Sequence, residues 1–258
     1  MGEHTGISWT DHTFNPWWGC TRVSPGCDNC YAETFDKRVG GAHWGKDAPR
    51  RTFTDKHWAE PVKWNRDAEK AGIRAKVFCA SMADVMDDEA PDGARARLWD
   101  LIDRTPYLIW QLLTKRPHRY ERYLPSGHFH HDNVWLGATA ENQEFYNVRW
   151  PILAAAAESH DCRAWISYEP ALGPLTLTGF PIWPEWIIFG GESGPHRRPC
   201  DPNWARQLRE EIATYTPGMV SLFVKQMSAL TPAAGKALIP ADLLIQTWPI
   251  DWPADGPR

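Results

Sequence analysis

The chain has 258 residues, 43% of them hydrophobic, with 28 basic and 32 acidic side chains and a net charge of −4. That composition excludes a disordered chain, and the acidic balance excludes a general polycationic coat for nucleic acid while leaving room for a local basic groove. The first residues are polar and no apolar run reaches bilayer length, so the chain reads as cytoplasmic, without a secretory signal or membrane span.

In chain order, a first strand is expected near Ile7-Ser8-Trp9. Next comes a loop bent by Gly19, Pro25 and Gly26, which carries Cys20, Cys27 and Cys30. Residues 40–66 are polar and read as a long excursion. Strands are then predicted over 76–80, 107–113, 133–137, 163–167, 186–190 and 220–224, from near-continuous apolar runs that suit burial on both faces. Helices are predicted over 92–104, 142–158 and 201–214, the last opening with Asp201 as N-cap and Pro202 in the first turn. A Pro-rich, irregular tail from about 230 is expected to wrap the outside. Alternating β and α units imply parallel strands joined by right-handed crossovers. The expected architecture is α/β: one domain over 1–258, built as a partial or near-complete parallel β/α (TIM-like) barrel of about six to seven strands. Sixteen Trp, several beside Pro, read as wedges packed under loops.

The residues at the carboxyl ends of these strands point to function. Ser81 and Asp84 come after the 76–80 run, Thr114-Lys115-Arg116-Pro117 after the next, and Thr139 and Glu141 after the third. Glu169-Pro170, Gly190-Gly191-Glu192 and Lys225-Gln226 come after the last three. In a β/α barrel these ends converge on one face, where such enzymes do their chemistry. Turn and capping needs explain any one of these groups, but explain six in succession poorly.

Six Cys in a reducing compartment read as ligands or buried thiols rather than disulfides. Three lie within eleven residues, as Cys20-x6-Cys27-x2-Cys30, while Cys79, Cys162 and Cys200 are scattered. Three sulfurs satisfy neither a structural zinc nor an ordinary [4Fe–4S] cluster, each of which takes four ligands. Either a further protein ligand completes the site, with His12 and His43 as candidates for a Cys3His zinc, or one metal position is left open.

The stretch from Phe14 through Cys20, Cys27 and Cys30 to Glu33 resembles the phage Gp37/Gp68 family, also called the DUF5131 family. Leu113-Thr114-Lys115-Arg116-Pro117, Glu169-Pro170-Ala171-Leu172-Gly173-Pro174 and Gly190-Gly191-Glu192-Ser193-Gly194 resemble its other signatures. That family is viewed as an atypical branch of the radical S-adenosylmethionine (SAM) proteins, with some likeness to spore photoproduct lyase. The resemblance implies a phage- or prophage-encoded enzyme acting in the host cytoplasm. It would hold a [4Fe–4S] cluster on Cys20, Cys27 and Cys30, bind SAM at the open iron, and take electrons from an external donor. Two departures from the common radical SAM pattern stand out: six residues rather than three separate the first two cysteines, and Gly-Gly-Glu comes after a late strand rather than the second. On this reading Lys115 neutralises the SAM carboxylate. Ser81 and Thr139 hydrogen-bond its methionine or ribose, Gly190 and Gly191 line the cofactor pocket, and Glu169 or Glu192 holds ribose hydroxyls or substrate.

Two basic groups, Lys115-Arg116-Pro117-His118-Arg119 with Arg122 and His196-Arg197-Arg198, flank the inferred mouth; Lys46, Arg50, Arg51 and Lys56 form another. Cations gathered on an acidic protein suggest an anionic substrate such as a nucleotide or nucleic acid, with Arg116, Arg119, Arg197 and Arg198 as phosphate contacts. Tyr31, Trp17, Trp18 and Tyr168 are candidates to stack a base. Two other readings stay open: a radical SAM enzyme on a small metabolite or peptide, and a non-catalytic zinc-stabilised nucleic-acid-binding module.

Overall fold

A computed structural model describes residues 5–126, 129, 132–177 and 179–249. Seven parallel strands form one sheet in chain order: β1 (His12–Thr13), β2 (Ala75–Cys79), β3 (Leu108–Thr114), β4 (Val134–Thr139), β5 (Arg163–Tyr168), β6 (Trp186–Gly190) and β7 (Ser221–Gln226). Among the described residues eight α-helical segments accompany them: α1 (Tyr31–Arg38), α2 (Asp55–Trp58), α3 (Glu60–Ala71), α4 (Ala94–Asp103), α5 (Tyr120–Tyr123), α6 (Gln143–Ser159), α7 (Pro202–Tyr215) and α8 (Pro232–Ala237). The sheet curls into a half-barrel, the expected partial parallel β/α barrel. Because every neighbour is parallel, all seven carboxyl ends open on the same rim.

Strand alternation divides the apolar residues between two faces. On the outer face Leu108, Trp110, Leu112, Leu136, Ile166 and Leu222 share a core with Leu98, Leu101 and Ile102 of α4, Trp150 and Leu153 of α6, and Leu208 of α7. On the inner face Phe78, Ile109, Trp135, Trp165, Trp186, Ile188 and Phe223 meet Trp9 in a second cluster. Trp9 lies 5.5 Å from Trp165 and 6.0 Å from Trp186, ring centre to ring centre. These indoles fill the hollow of the half-barrel, where packing under loops was expected. Each large ring buries area that no aliphatic side chain matches.

Helix ends obey their sequence signals. The Asn142 side chain accepts from Phe145 N at 3.2 Å to open α6, and Asp201 accepts from Asn203 N at 2.8 Å to open α7. Three expectations are corrected. The first strand lies at His12–Thr13, not at 7–9, because only those two residues reach the β2 ladder, opposite Val77 and Phe78. The expected excursion over 40–66 contains α2 and the start of α3, whose Trp58, Pro61 and Trp64 are buried. The tail is not wholly irregular: it opens with α8 and returns along the free edge of β7, where Val224 N donates to Ile245 O at 2.8 Å and Thr247 N to Leu222 O at 3.1 Å. That return covers an edge otherwise open to further pairing. Among the described residues no helix is long and apolar enough to cross a membrane.

Candidate cofactor and substrate site at the barrel mouth

From the end of β1 the chain crosses the rim. Asn15, 1% exposed, fixes the crossing: its Oδ1 accepts from Met82 N at 2.7 Å and its Nδ2 donates to Ser81 Oγ at 3.1 Å. The cysteine loop comes next and leads into α1. Cys20, Cys27 and Cys30 are free, partly exposed thiols on that loop. Cys79 is buried within β2, Cys162 precedes β5 at the opposite end of the sheet, and Cys200 precedes α7.

Three carboxylates from three strand ends hold the loop. Asp84, beyond β2, accepts from Thr114 Oγ1 at 2.6 Å, Met86 N at 2.9 Å and Lys115 N at 3.1 Å, and pairs with Arg116 Nη1 at 2.8 Å. Arg116 in turn donates to Thr21 O at 2.6 Å and reaches Cys20 Sγ at 3.5 Å. Glu141, beyond β4, is fully buried, pairs with Arg149 at 2.8 Å and accepts a short hydrogen bond from Ser24 Oγ. Gly26 lies so close above it that a Cβ would stand 2.4 Å from Glu141 Oε1, so the loop seats there only with glycine. Glu192, beyond β6, pairs with Arg198, accepts from Asn29 Nδ2 at 3.0 Å and from Arg198 N at 2.7 Å, while Arg198 Nη2 holds Pro25 O at 2.7 Å.

The remaining strand-end groups are less committed. Lys115 Nζ donates to Thr139 Oγ1 at 3.3 Å, and no carboxylate among the described residues pairs with it. Its charge reaches the Cys30 sulfur. Glu169 pairs with Lys225 at 3.0 Å; Gly190 makes room for that carboxylate, since a Cβ would meet Glu169 Oε1 at 2.4 Å. Gly191 backs onto Ser228, whose buried hydroxyl has no hydrogen-bond partner among the described residues. Tyr31 is 54% exposed, with its hydroxyl donating to Ser81 O at 2.7 Å.

Cys20 and Cys30 are costly to ionise in place. Burial pushes Cys20 up to about 12, with Asp84 and Asp87 adding to the rise and Arg116 opposing it. Burial also raises Cys30, against the backbone N–H groups of Glu33 and Ala32 and the Lys115 charge. Glu192 moves the other way: burial would raise it, but the hydrogen bonds from Arg198 and Asn29 outweigh burial and hold it below the usual carboxylate range.

The structure therefore brings Ser81, Lys115, Thr139, Glu169, Gly190, Gly191 and Glu192 to the same rim as the three cysteines. It corrects one phosphate contact: Arg116 is 2% exposed and turned inward, its charge taken by Asp84. Of the stacking candidates, Trp17, Trp18 and Tyr168 are buried in the fold and Tyr31 alone offers an open ring. Neither zinc candidate joins the thiols; His12 stacks on Trp64 at 4.4 Å and His43 bonds Asp36 at 2.8 Å. Among the described residues no three His, Cys, Asp or Glu side chains gather about one ion position. Sequence reasoning assigned no role to Glu141, Lys225 or Asn29. Glu141 lies two residues past β4 and Lys225 near the end of β7, and that strand-end position was the available signal; Asn29 carried none beyond lying between two cysteines.

A half-barrel of parallel strands with a three-cysteine loop across its carboxyl rim is the class of protein that this fold and site define. Solved structures share that fold. A single-substitution mutant of spore photoproduct lyase matches with a TM-score of 0.59 and 13% identity, over 87% of this chain and 78% of that one. A second such mutant matches at 0.54 and 13%, over 81% and 74%. A double mutant of the same lyase, with bound AdoMet and dinucleoside spore photoproduct, matches at 0.50 and 13%, over 87% and 58%. The chain belongs to the DUF5131 family, described as "Protein of unknown function (DUF5131)", whose model matches residues 4–240. No curated protein sequence matches it.

Proposed function

We propose that this protein is a radical SAM enzyme, acting as a single domain in the cytoplasm with an external electron donor, on an anionic substrate such as a nucleotide or a nucleic-acid base to be repaired or modified. The observation that carries the reading is the pairing of a three-thiol loop, pinned over the mouth of a β/α half-barrel, with a lysine on the same rim that has no carboxylate partner among the described residues. The donor set fits a [4Fe–4S] cluster held by Cys20, Cys27 and Cys30 with one iron left for SAM. Zinc would need its ligands about one point; the cysteines are not gathered that way, and the rings of both candidate histidines are engaged elsewhere, His12 on Trp64 and His43 with Asp36. When bound, the cluster and SAM supply one-electron reductive cleavage and hydrogen-atom abstraction.

The chain's residues bind and orient. Lys115 neutralises the methionine carboxylate, and Thr139 and Ser81 supply hydroxyls on either side of it. Glu169, steadied by Lys225 and given space by Gly190, holds ribose hydroxyls or substrate. Gly191 sets the adjoining wall. Glu192, already committed to Arg198 and Asn29, acts by holding the cysteine loop. Tyr31 offers a ring for a planar substrate, and Arg197, exposed in the segment after β6, offers positive charge. A spore photoproduct lyase of the same fold, with AdoMet and a dinucleoside lesion bound, supports this choice of substrate class.

One observation favours a smaller anionic substrate over a long nucleic acid. Arg119 pairs with Asp88, and Arg198 with Glu192 and Asp28, so much of the expected basic rim is already neutralised. Oligonucleotide binding titrated against salt separates the two, because phosphate contacts give a steep log–log slope. The reading as a whole is tested by anaerobic reconstitution with iron and sulfide. The expected product is a brown protein whose reduced electron-paramagnetic-resonance signal changes on adding SAM; a colourless zinc protein contradicts it.

A further inference from the structure

Arg116 is the only charged hydrogen-bond donor that reaches a cysteine sulfur among the described residues. Its Nη1 lies 3.5 Å from Cys20 Sγ, within the limit for a bond to sulfur, while Cys27 has the Ser24 hydroxyl at 4.0 Å and Cys30 faces backbone amides. Its side chain is 3% exposed, so solvent screens it little. A guanidinium stays protonated, and this one is held rigidly by Asp84 at 2.8 Å and Thr21 O at 2.6 Å, with Asp87 at 3.8 Å. Nothing about a surface phosphate contact requires such an arrangement.

We propose that Arg116 is a positioning residue that sets the reduction potential of the cysteine-bound metal centre, with Asp84 as its counterweight; this rests on the iron–sulfur reading above. Reduction adds an electron whose charge spreads onto the ligand sulfurs. A buried donor at Cys20 stabilises that added charge and raises the potential, as hydrogen bonds to cluster sulfurs do. Asp84 takes back part of the guanidinium's charge and lowers it. The pair therefore acts as a balanced dipole beside Cys20, and its two halves have opposite signs.

That opposition gives a test that a purely structural role does not mimic. Wild type and the variants Arg116→Gln, Arg116→Lys and Asp84→Asn are reconstituted, assayed for iron, and titrated electrochemically with the paramagnetic signal as readout. Arg116→Gln is expected to move the midpoint to more negative potential, Arg116→Lys to move it less in the same direction, and Asp84→Asn to move it to more positive potential, all with iron retained. Midpoints that do not move, or that move the same way in Arg116→Gln and Asp84→Asn, overturn the proposal. So does loss of iron from all three variants, which leaves Arg116 as a mechanical anchor. A wild type that forms no cluster overturns the iron–sulfur reading instead, a separate and recognisable result.

Discussion

The rim of the half-barrel carries two unlike sets of groups, which alternate along it. In one, Asp84, Glu141 and Glu192 after β2, β4 and β6 are buried or nearly so, and each is saturated by an arginine and by donors from neighbouring chain. In the other, among the described residues, the Lys115 ammonium meets a hydroxyl and no carboxylate, Ser228 keeps an unpaired hydroxyl, and Tyr31 is exposed. Strand-end position alone does not make a residue functional. Saturated charges form the frame that carries the cysteine loop, and the unsaturated groups are what remains for a ligand. A buried carboxylate that loses its arginine is left uncompensated, so changes in the saturated set cost more stability than changes in the other.

The sharpest way to break this division is to remove the thiols that the frame presents. Cys20→Ala, Cys27→Ala and Cys30→Ala should each abolish bound iron and visible absorption after reconstitution, while Cys79→Ala, Cys162→Ala and Cys200→Ala should keep both. A normal iron count in Cys27→Ala would remove the loop from the metal site. Next in size is the contrast between two glutamates. Glu141→Ala strands Arg149 in the interior and should cost about 3–5 kcal/mol in denaturant unfolding. Glu169→Ala, which leaves only the partly exposed Lys225 without its partner, should cost about 1 kcal/mol. Equal losses would erase the distinction between the two sets.

Lys115→Met keeps the aliphatic stem and removes the charge. Iron assembly should survive, and SAM affinity by equilibrium binding should fall roughly 10- to 150-fold, the equivalent of about 1.5–3 kcal/mol for a charge-assisted hydrogen bond. Unchanged affinity would return Lys115 to an ordinary surface role.

The smallest effect concerns the Glu192 clamp and its pH dependence. Its folded pKa is depressed, so the clamp contributes stability that is present above the ordinary glutamate value and lost as pH falls through the lower folded one. At neutral pH Glu192→Gln should cost about 1 kcal/mol, discounted because Arg198 is partly solvated. The gap in melting temperature between wild type and this variant should stay constant near neutrality and close as the pH drops below about 4. A gap that persists in acid would mean that the clamp does not depend on the carboxylate charge.

Much of this was legible in the sequence because parallel strands buried on both faces write themselves as apolar runs. Strands β2 to β7 begin within about two residues of where those runs place them. β1 was misplaced for the opposite reason: a two-residue edge strand leaves no run, and Trp9 nearby is apolar because it plugs the hollow. α3 went unseen because it is dominated by charged residues on its exposed face, with only Pro61, Trp64 and Ala68 fully buried. The cysteine triplet was readable from spacing. Arg116 was misread because sequence does not separate a buried guanidinium from a surface one when both stand among cations before a proline turn. What decided its role was Asp84, some thirty residues earlier and on another strand's exit.

Central to the proposed function is SAM meeting a reduced centre on the three thiols beside Lys115. The most direct measurement is anaerobic incubation of the reconstituted, chemically reduced protein with SAM, and then chromatography for 5′-deoxyadenosine and methionine. Wild type should release both, and Cys27→Ala, prepared in parallel, should release neither. Intact SAM after prolonged incubation with a protein that holds its full complement of iron and sulfide would contradict the proposed function.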